Sequence, residues 1–309
     1  MSDIQGIQRR RFLQWGLSSL GMFCAPSFSQ NFTRATLMHK SIPSSGETLP
    51  VIGLGTNAYD IGPPEQMSRL SLCLSTLNEL GGKFIDTAPR YGSSENVLGD
   101  MIRSLGSRKH FFLGTKCDSE RRDTVISQLS QSQLNLHTDV VDIVQIHSLR
   151  GWQEQLPILR EAKADGLIRY IGITTSQNNQ HLELADILKN EPDIDMVQLN
   201  YSIVDRQAEY TLLPIAQEKG IAVIGNLPFD GGKLFQKIAD KALPPWAAEF
   251  DCHSWAQFFL KFIISHPAVT CTIPGTTQPH HLRENIMAAT GRLPSPQYRQ
   301  RQANFMASL

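Results

Sequence analysis

From Pro50 onward, short apolar runs alternate with longer stretches in which apolar residues recur at helical spacing. The runs are VIGLGT (51–56), KFIDTA (83–88), HFFLGTK (110–116), VVDIVQIH (140–147), IRYIGIT (168–174), DMVQLNY (195–201), IAVIGNL (221–227) and VTCTIPG (269–275). Each is rich in Val, Ile and Phe and too short for a helix, and near-continuous burial suits parallel strands. Helical patterns lie between them, for example over 65–80, 123–136 and 180–189. Gly81, Gly166 and Gly220 stand just before the next strands, where a helix C-terminus favours a left-handed residue. Eight strand–helix units over about 250 residues predict a single α/β domain, a (β/α)8 TIM barrel. A doubly wound sheet is the main competitor, because it alternates in the same way.

That competitor draws support from GLGTNA (53–58), which fits G-x-G-x-x-A at the end of the first run. A dinucleotide fingerprint needs a helix to begin at once, so that its N-terminus meets a pyrophosphate. Gly62-Pro63-Pro64 postpones the helix here, and Asp86 comes too late to be the acidic residue of the second strand. GGK (231–233) is not a P-loop, since Leu234 stands where Ser or Thr is required.

In a barrel, the C-terminal strand ends share one face and carry the chemistry. Those ends present Asp86 and nearby Tyr91, Lys116, His147, Thr174 and Thr175, Gln198 and Asn200, Asn226, and Thr276. The bland account makes residues 86–95 an ordinary loop, with Ser93 or Ser94 capping the next helix. A lone lysine is usually solvated and a lone histidine usually structural. Asp, Tyr, Lys and His on consecutive strand ends are harder to obtain by chance. A phenol titrates near 10. A Lys116 ammonium would lower the Tyr91 pKa, Asp86 would hold the lysine, and a neutral His147 could donate to the same oxygen. Together they describe a general acid for a developing alkoxide, as in carbonyl reduction by hydride.

GKFIDTAPRYGSSENVLGDMI, GTK, VDIVQIH, VQLNYS and IPGTTQPHHLREN, in this order over residues 36–295, resemble the aldo-keto reductase family. The resemblance implies a barrel that binds NADP(H), with NAD(H) as the alternative, and reduces small aldehydes or ketones without metal. It implies Tyr91 as proton donor, with Asp86, Lys116 and His147 completing a tetrad. It places Thr174, Thr175 and Gln198 at the nicotinamide amide, and the 274–285 segment at the adenosine phosphates. The cofactor set it implies is Gly55, Thr56, Thr174, Thr175, Gln198, Asn226, Pro228, Gly275, Thr276, His281, Glu284 and Asn285. Three departures from the family's common pattern stand out: Thr174-Thr175 replaces Ser-Asn, Asn226 replaces an aromatic, and Gly275 and His281 replace Lys and Arg. Arg283 is the substitute cation for a 2′-phosphate, and the resemblance implies NADPH ahead of NADH.

Composition narrows the alternatives. The chain of 309 residues is 41% hydrophobic and 19% charged, with 29 basic and 29 acidic residues, so no basic excess points to nucleic acid. No apolar run approaches the roughly 20 residues of a membrane span. Residues 1–29 read differently: Arg9, Arg10 and Arg11 precede the mildly apolar WGLSSLGMFC and then APSFSQ. Arg9-Arg10-x-Phe12-Leu13 resembles a twin-arginine signal peptide, which implies export of a folded protein to the periplasm and cleavage near Ser29, leaving 30–309 as the barrel. A cytoplasmic tail or basic amphipathic helix is the alternative. Cys73, Cys117, Cys252 and Cys271 lack zinc-site spacing, and Cys73 and Cys271 read as core thiols. The long connection 228–253 reads as a flap, with Trp246 or Phe229 lining the pocket, and SWAQFFLKFII (254–264) as an amphipathic core-facing helix. Two rival functions remain: a nicotinamide-binding sensor subunit without catalysis, and an isomerase or lyase using Lys116 as a Schiff base.

Overall fold

A computed structural model describes residues 36–309; the leader expected over 1–29 lies outside the described residues. The described part opens on an antiparallel hairpin, β1 (His39–Ser41) and β2 (Thr48–Pro50). Eight parallel strands follow and lie side by side in chain order. They are β3 (Leu54–Gly55), β4 (Phe84–Asp86), β5 (Phe112–Cys117), β6 (Val141–Ile146), β7 (Ile168–Thr174), β8 (Met196–Asn200), β9 (Ala222–Asn226) and β10 (Val269–Thr272). The first six connections carry α1 (Pro64–Leu80), α2 (Ser94–Ser104), α3 (Arg122–Asn135), α4 (Trp152–Ala164), α5 (His181–Asn190) and α6 (Leu212–Lys219). The seventh carries α7 (Lys233–Lys237) and α8 (Trp255–Ile264), and α9 (Pro279–Met287) and α10 (Pro296–Ser308) complete the chain.

A doubly wound sheet reverses its strand order at a switch point; this sheet never does. Instead it curls until parallel bridges Ile52–Thr272 and Gly55–Gly275 join its two ends. The first run is shorter as a strand than its pattern suggests, and its two glycines stand close to neighbouring backbone. A Cβ on Gly53 would stand 2.9 Å from the Phe84 carbonyl oxygen, and one on Gly55 2.9 Å from that of Ile273. The glycines of GLG therefore allow neighbouring backbone to approach closely where the sheet closes.

The interior divides into an apolar and a polar half. Ile42 and Leu49 from the hairpin join Phe84, Phe112, Ile143, Met196, Ile224 and Cys271 in one buried cluster inside the sheet. Several of these are first residues of their strands, so the hairpin stoppers the N-terminal end. Each such side chain contributes about 1.5–3 kcal/mol by leaving water. A larger cluster lies between sheet and helices. Gly81 and Gly220 cap α1 and α6 in the left-handed conformation, and Gly166 follows the C-cap of α4 with φ 74°. Cys73, Cys117, Cys252 and Cys271 are all free and buried.

The structure corrects the expectation for α8. From Ala256 to Ile264 every residue is buried, Lys261 included, so the helix is enclosed rather than one-sided. The buried ammonium is satisfied by the carbonyl oxygens of Phe250, Thr290 and Arg292 at 2.8–2.9 Å. Ser254 caps the helix by accepting from the Gln257 N–H at 3.2 Å. Among the described residues no helix is long and apolar enough to cross a membrane.

Candidate active site

Four strands end on one buried polar group. Asp86, the last residue of β4, is 2% exposed, and Lys116 of β5 is 1% exposed. Lys116 Nζ donates to Asp86 Oδ2 at 2.7 Å and to the Thr87 carbonyl at 2.8 Å. The amides of Gln145 (β6) and Gln198 (β8) both donate to Asp86 Oδ1 at 2.9 Å. Gln198 Oε1 in turn accepts from the Thr174 hydroxyl at 3.2 Å. A buried charge survives only when paired and hydrogen-bonded, and both partners here meet that condition.

Tyr91 stands over this pair. Its hydroxyl lies 3.4 Å from Lys116 Nζ, which is also 5.0 Å from the ring centroid. His147 meets the Tyr91 ring edge to face, with centroids 6.3 Å apart. Burial disfavours the Lys116 charge, but Asp86 and then Tyr91 outweigh it and raise its pKa. Lys116 therefore stays an ammonium and is a poor Schiff-base nucleophile, which argues against the isomerase or lyase alternative. Burial, followed by the Lys116 charge, lowers the His147 pKa to about 4, so its imidazole is neutral at physiological pH.

Tyr91 departs from expectation. Its pKa is raised, because burial outweighs the lowering effect of Lys116 and Asp86 adds to the rise. The phenol is thus held protonated, and Lys116 moderates its acidity without bringing it below the ordinary value.

Local chemistry places Tyr91. The chain turns after β4, with the Tyr91 N–H on the Ala88 carbonyl at 3.0 Å, and passes through Gly92 at φ 59°. A Cβ on Gly92 would stand 2.8 Å from Asp60 Oδ2, so glycine is needed for space as well as conformation. Asp60 Oδ1 accepts from the N–H groups of Ile61 and Ser93 at 2.9 and 3.0 Å and from the Ser93 hydroxyl. Ser94 Oγ donates to the Thr56 carbonyl at 3.0 Å. Neither serine therefore caps α2 through its side chain as expected; tertiary partners outcompete the local N–H groups. Beyond β6 and β9, Ser148 (φ 56°) and Leu227 (φ 49°) hold left-handed conformations that non-glycine residues seldom adopt.

Above the tetrad opens a cleft of about 520 Å³. Of the residues expected at the cofactor, Gly55, Thr56, Thr174, Gln198, Asn226, Pro228 and Gly275 line it, together with Asp86, Tyr91 and His147. Thr175 lies beside it, its hydroxyl donating to Gln180 Oε1 at 2.5 Å. Thr276 precedes α9 and accepts from the Gln278 N–H at 3.1 Å, while His281, Glu284 and Asn285 lie on α9 itself. Asn200 is drawn away from the cleft by His181, Asn178 and Asp205. Within the expected flap, Phe229 lines the cleft with Phe235, their ring centroids 4.8 Å apart. Trp246 does not line it. It packs among Phe250, Phe258, Tyr298 and Phe305, where an aromatic cluster gives its indole a larger apolar contact. Sequence reasoning missed Asp60 and Gln145, and also Asn57, Ser148 and Ser176 in the cleft wall. Gln145, near the end of β6 and two residues before His147, carried a usable signal: an amide within an apolar run.

The comparisons with known proteins agree with this fold. A curated relative, the NADH-specific methylglyoxal reductase of Escherichia coli (strain K12), is 26% identical over 81% of this chain and 93% of its own length. An aldo-keto reductase from Klebsiella pneumoniae solved with NADPH superimposes with a TM-score of 0.75 at 23% identity, covering 88% of this chain and 96% of that one. A second Klebsiella pneumoniae structure, in complex with NADP and acetate, gives 0.73 at 24% identity, covering 86% and 94%. The Aldo/keto reductase family matches residues 51–303, which include the whole strand-end site. With eight parallel strands in chain order and Asp86, Tyr91, Lys116 and His147 gathered at their ends, the chain belongs to the aldo/keto reductase family.

Proposed function

We propose that the protein reduces the carbonyl group of small aldehydes or ketones with NADP(H), accepting NADH as well, and that Tyr91 is the proton donor. The observation that carries this is the Tyr91 hydroxyl held 3.4 Å from the buried Lys116 Nζ at the floor of a cleft. The family's cofactor chemistry and the relatives' NADH, NADP and NADPH support the reading.

The residues present fit a nicotinamide. Asn226 Oδ1 is buried without a donor, while its amide is spent on the Thr175 carbonyl at 2.9 Å. Gln198 retains one N–H and one lone pair after its bonds to Asp86 and Thr174. These groups match the complementary donors and acceptors of a carboxamide. A reduced nicotinamide, when bound, supplies hydride.

The chain's own residues do the remainder. Tyr91 Oη and the neutral His147 face the same part of the cleft and can both bond a substrate carbonyl oxygen. As charge develops there, Tyr91 gives up its proton, and Lys116 stabilises the phenolate left behind. Asp86 keeps Lys116 in place. Leu227, Phe229, Phe235 and Ile273 give the cleft an apolar wall beside the reacting atoms.

The test is a panel of aldehydes and ketones followed at the nicotinamide absorbance, with NADPH and NADH in parallel. Tyr91→Phe should bind cofactor as wild type does and lose turnover by about 10²–10⁴-fold, the usual contribution of a general acid. Cofactor binding without turnover on any carbonyl by wild type would favour a sensor subunit instead.

A further inference from the structure

We propose that Gln145 is a positioning residue for the Asp86–Lys116 pair, and that Gly172 on the adjacent strand supplies the room it needs. The inference rests on the reading of Tyr91 as proton donor. Gln145 is fully buried, and Ile143, two residues earlier, belongs to the apolar cluster inside the sheet. An amide in such a place costs free energy unless both its groups find partners. Only one does. Nε2 donates to Asp86 Oδ1 at 2.9 Å, while Oε1 is buried with no donor. Stability alone would favour an apolar side chain of the same volume at this position. The half-satisfied amide is accounted for by what it does for Asp86.

A second observation is independent of the first. Gln145 and Gly172 are partners in the β6–β7 register. A Cβ on residue 172 would stand 2.7 Å from Gln145 Cγ and 3.0 Å from Ile143 Cδ1. Gly172 is not among the residues with positive φ, so its conformation does not demand glycine; space does. The absence of a side chain at Gly172 thus leaves the room that the Gln145 side chain occupies beside Ile143.

The consequence is geometric. Asp86 Oδ1 takes Gln145 and Gln198, and Oδ2 takes Lys116, so three donors fix the plane of the carboxylate. Asp86 and the Thr87 carbonyl then locate Lys116 Nζ under the Tyr91 hydroxyl. Removing the Gln145 donor leaves one donor on each carboxylate oxygen, so the carboxylate is held less firmly and the ammonium is aimed less well at the phenol. Gln198 cannot compensate, because it is already bonded to the same oxygen.

Gln145→Met keeps the length and volume of the side chain and removes the donor. It should fold as wild type and bind NADPH with unchanged Kd by nicotinamide fluorescence. Its kcat for aldehyde reduction should fall about 10–100-fold at nearly constant KM, the usual scale for a group that orients catalytic residues. The solvent deuterium isotope effect on kcat should rise, since a misplaced donor makes proton transfer slower. Gly172→Ala, which leaves the amide intact but displaces it, should show the same split. The two losses should be less than additive when combined. A Gln145→Met enzyme with wild-type kcat, alongside an inactive Tyr91→Phe, would overturn the positioning role and leave the function standing. Activity retained by Tyr91→Phe would instead remove the functional reading. Loss of folding in both Gln145→Met and Gly172→Ala would assign the two residues to core stability and also overturn the proposal.

Discussion

Lys116→Met separates the two services that the buried ammonium performs. In the wild type it donates to Asp86 Oδ2, the Thr87 carbonyl and the Tyr91 hydroxyl from a position 1% exposed. Removing it leaves the Asp86 carboxyl with two amide donors and no counter-charge, and leaves the Thr87 carbonyl without its bond. Breaking a buried ion pair from one side costs about 3–5 kcal/mol, so the urea midpoint should fall substantially. The catalytic effect has a different origin. Burial and Asp86 both raise the Tyr91 pKa, and Lys116 opposes them. Without the lysine the phenol becomes a still weaker acid, and its conjugate base loses its stabilising charge. Turnover should drop over most of the 10²–10⁴-fold range of general-acid catalysis. Asp86→Asn combined with Lys116→Met removes both charges; it should regain most of the stability and none of the activity. Far-UV circular dichroism in urea and single-turnover reduction read the two effects separately. Lys116→Met within about 1 kcal/mol of wild type, the scale of an exposed ion pair, would refute the energetic argument. Near wild-type kcat would refute the catalytic one.

With His147 titrating at about 4 and Tyr91 above its usual range, the reduction rate should be level from about pH 5 to pH 9 and fall only outside those limits; an acid limb centred near 6.5 would contradict a neutral, buried His147. His266 is likewise lowered to about 4, by burial and then by Arg299. Since an unfolded chain takes up these protons near pH 6.5 and the folded one only near 4, stability should decline as pH falls through that window, less steeply in His266→Gln, as urea midpoints at several pH values would show. His281 is exposed in the first turn of α9, beside His280 at 4.1 Å. His281→Arg should tighten NADPH about tenfold more than NADH through a charge-assisted phosphate pair, and equal effects on both cofactors would mean that position 281 does not face the 2′-phosphate. Finally, we propose that the Arg9-Arg10-x-Phe12-Leu13 leader exports the folded protein; replacing both arginines by lysine should hold the uncut chain in the cytoplasm, and its appearance in the periplasm on fractionation would reject the proposal.

What could be read in advance were features encoded within a few neighbouring residues. The Val- and Ile-rich runs ending in Asp86, Lys116 and His147 identify strand ends locally, and a parallel order around the sheet then brings those ends together. Gly62-Pro63-Pro64 delays α1 by backbone chemistry alone, which is why the dinucleotide motif could be rejected without a structure. Features that arise only between strands were not legible. Gly172 looks like any strand glycine until register sets it against Gln145, and Gly55 looks like a phosphate-loop glycine until closure sets it against Ile273. Asp60 lies in an unremarkable loop, and its role comes from Ser93 thirty-three positions away.

The sign of the Tyr91 shift shows most clearly where local reasoning ends. Pairing a phenol with a lysine argues for a lowered pKa, and the structure does provide the ammonium at 3.4 Å. It also provides depth and a carboxylate, and both act the other way. Burial depends on how the loops after β4, β6 and β9 close over one another, which no single motif encodes. For a reductase the result is chemically apt. A donor must hold its proton until the carbonyl oxygen gains charge, and burial ensures that it does. Under the proposed mechanism Lys116 would be needed afterwards, to stabilise the phenolate left on Tyr91. On the function we propose, the tetrad would work as a protonated acid backed by a cation, with Asp86 beneath them setting how well that cation is aimed.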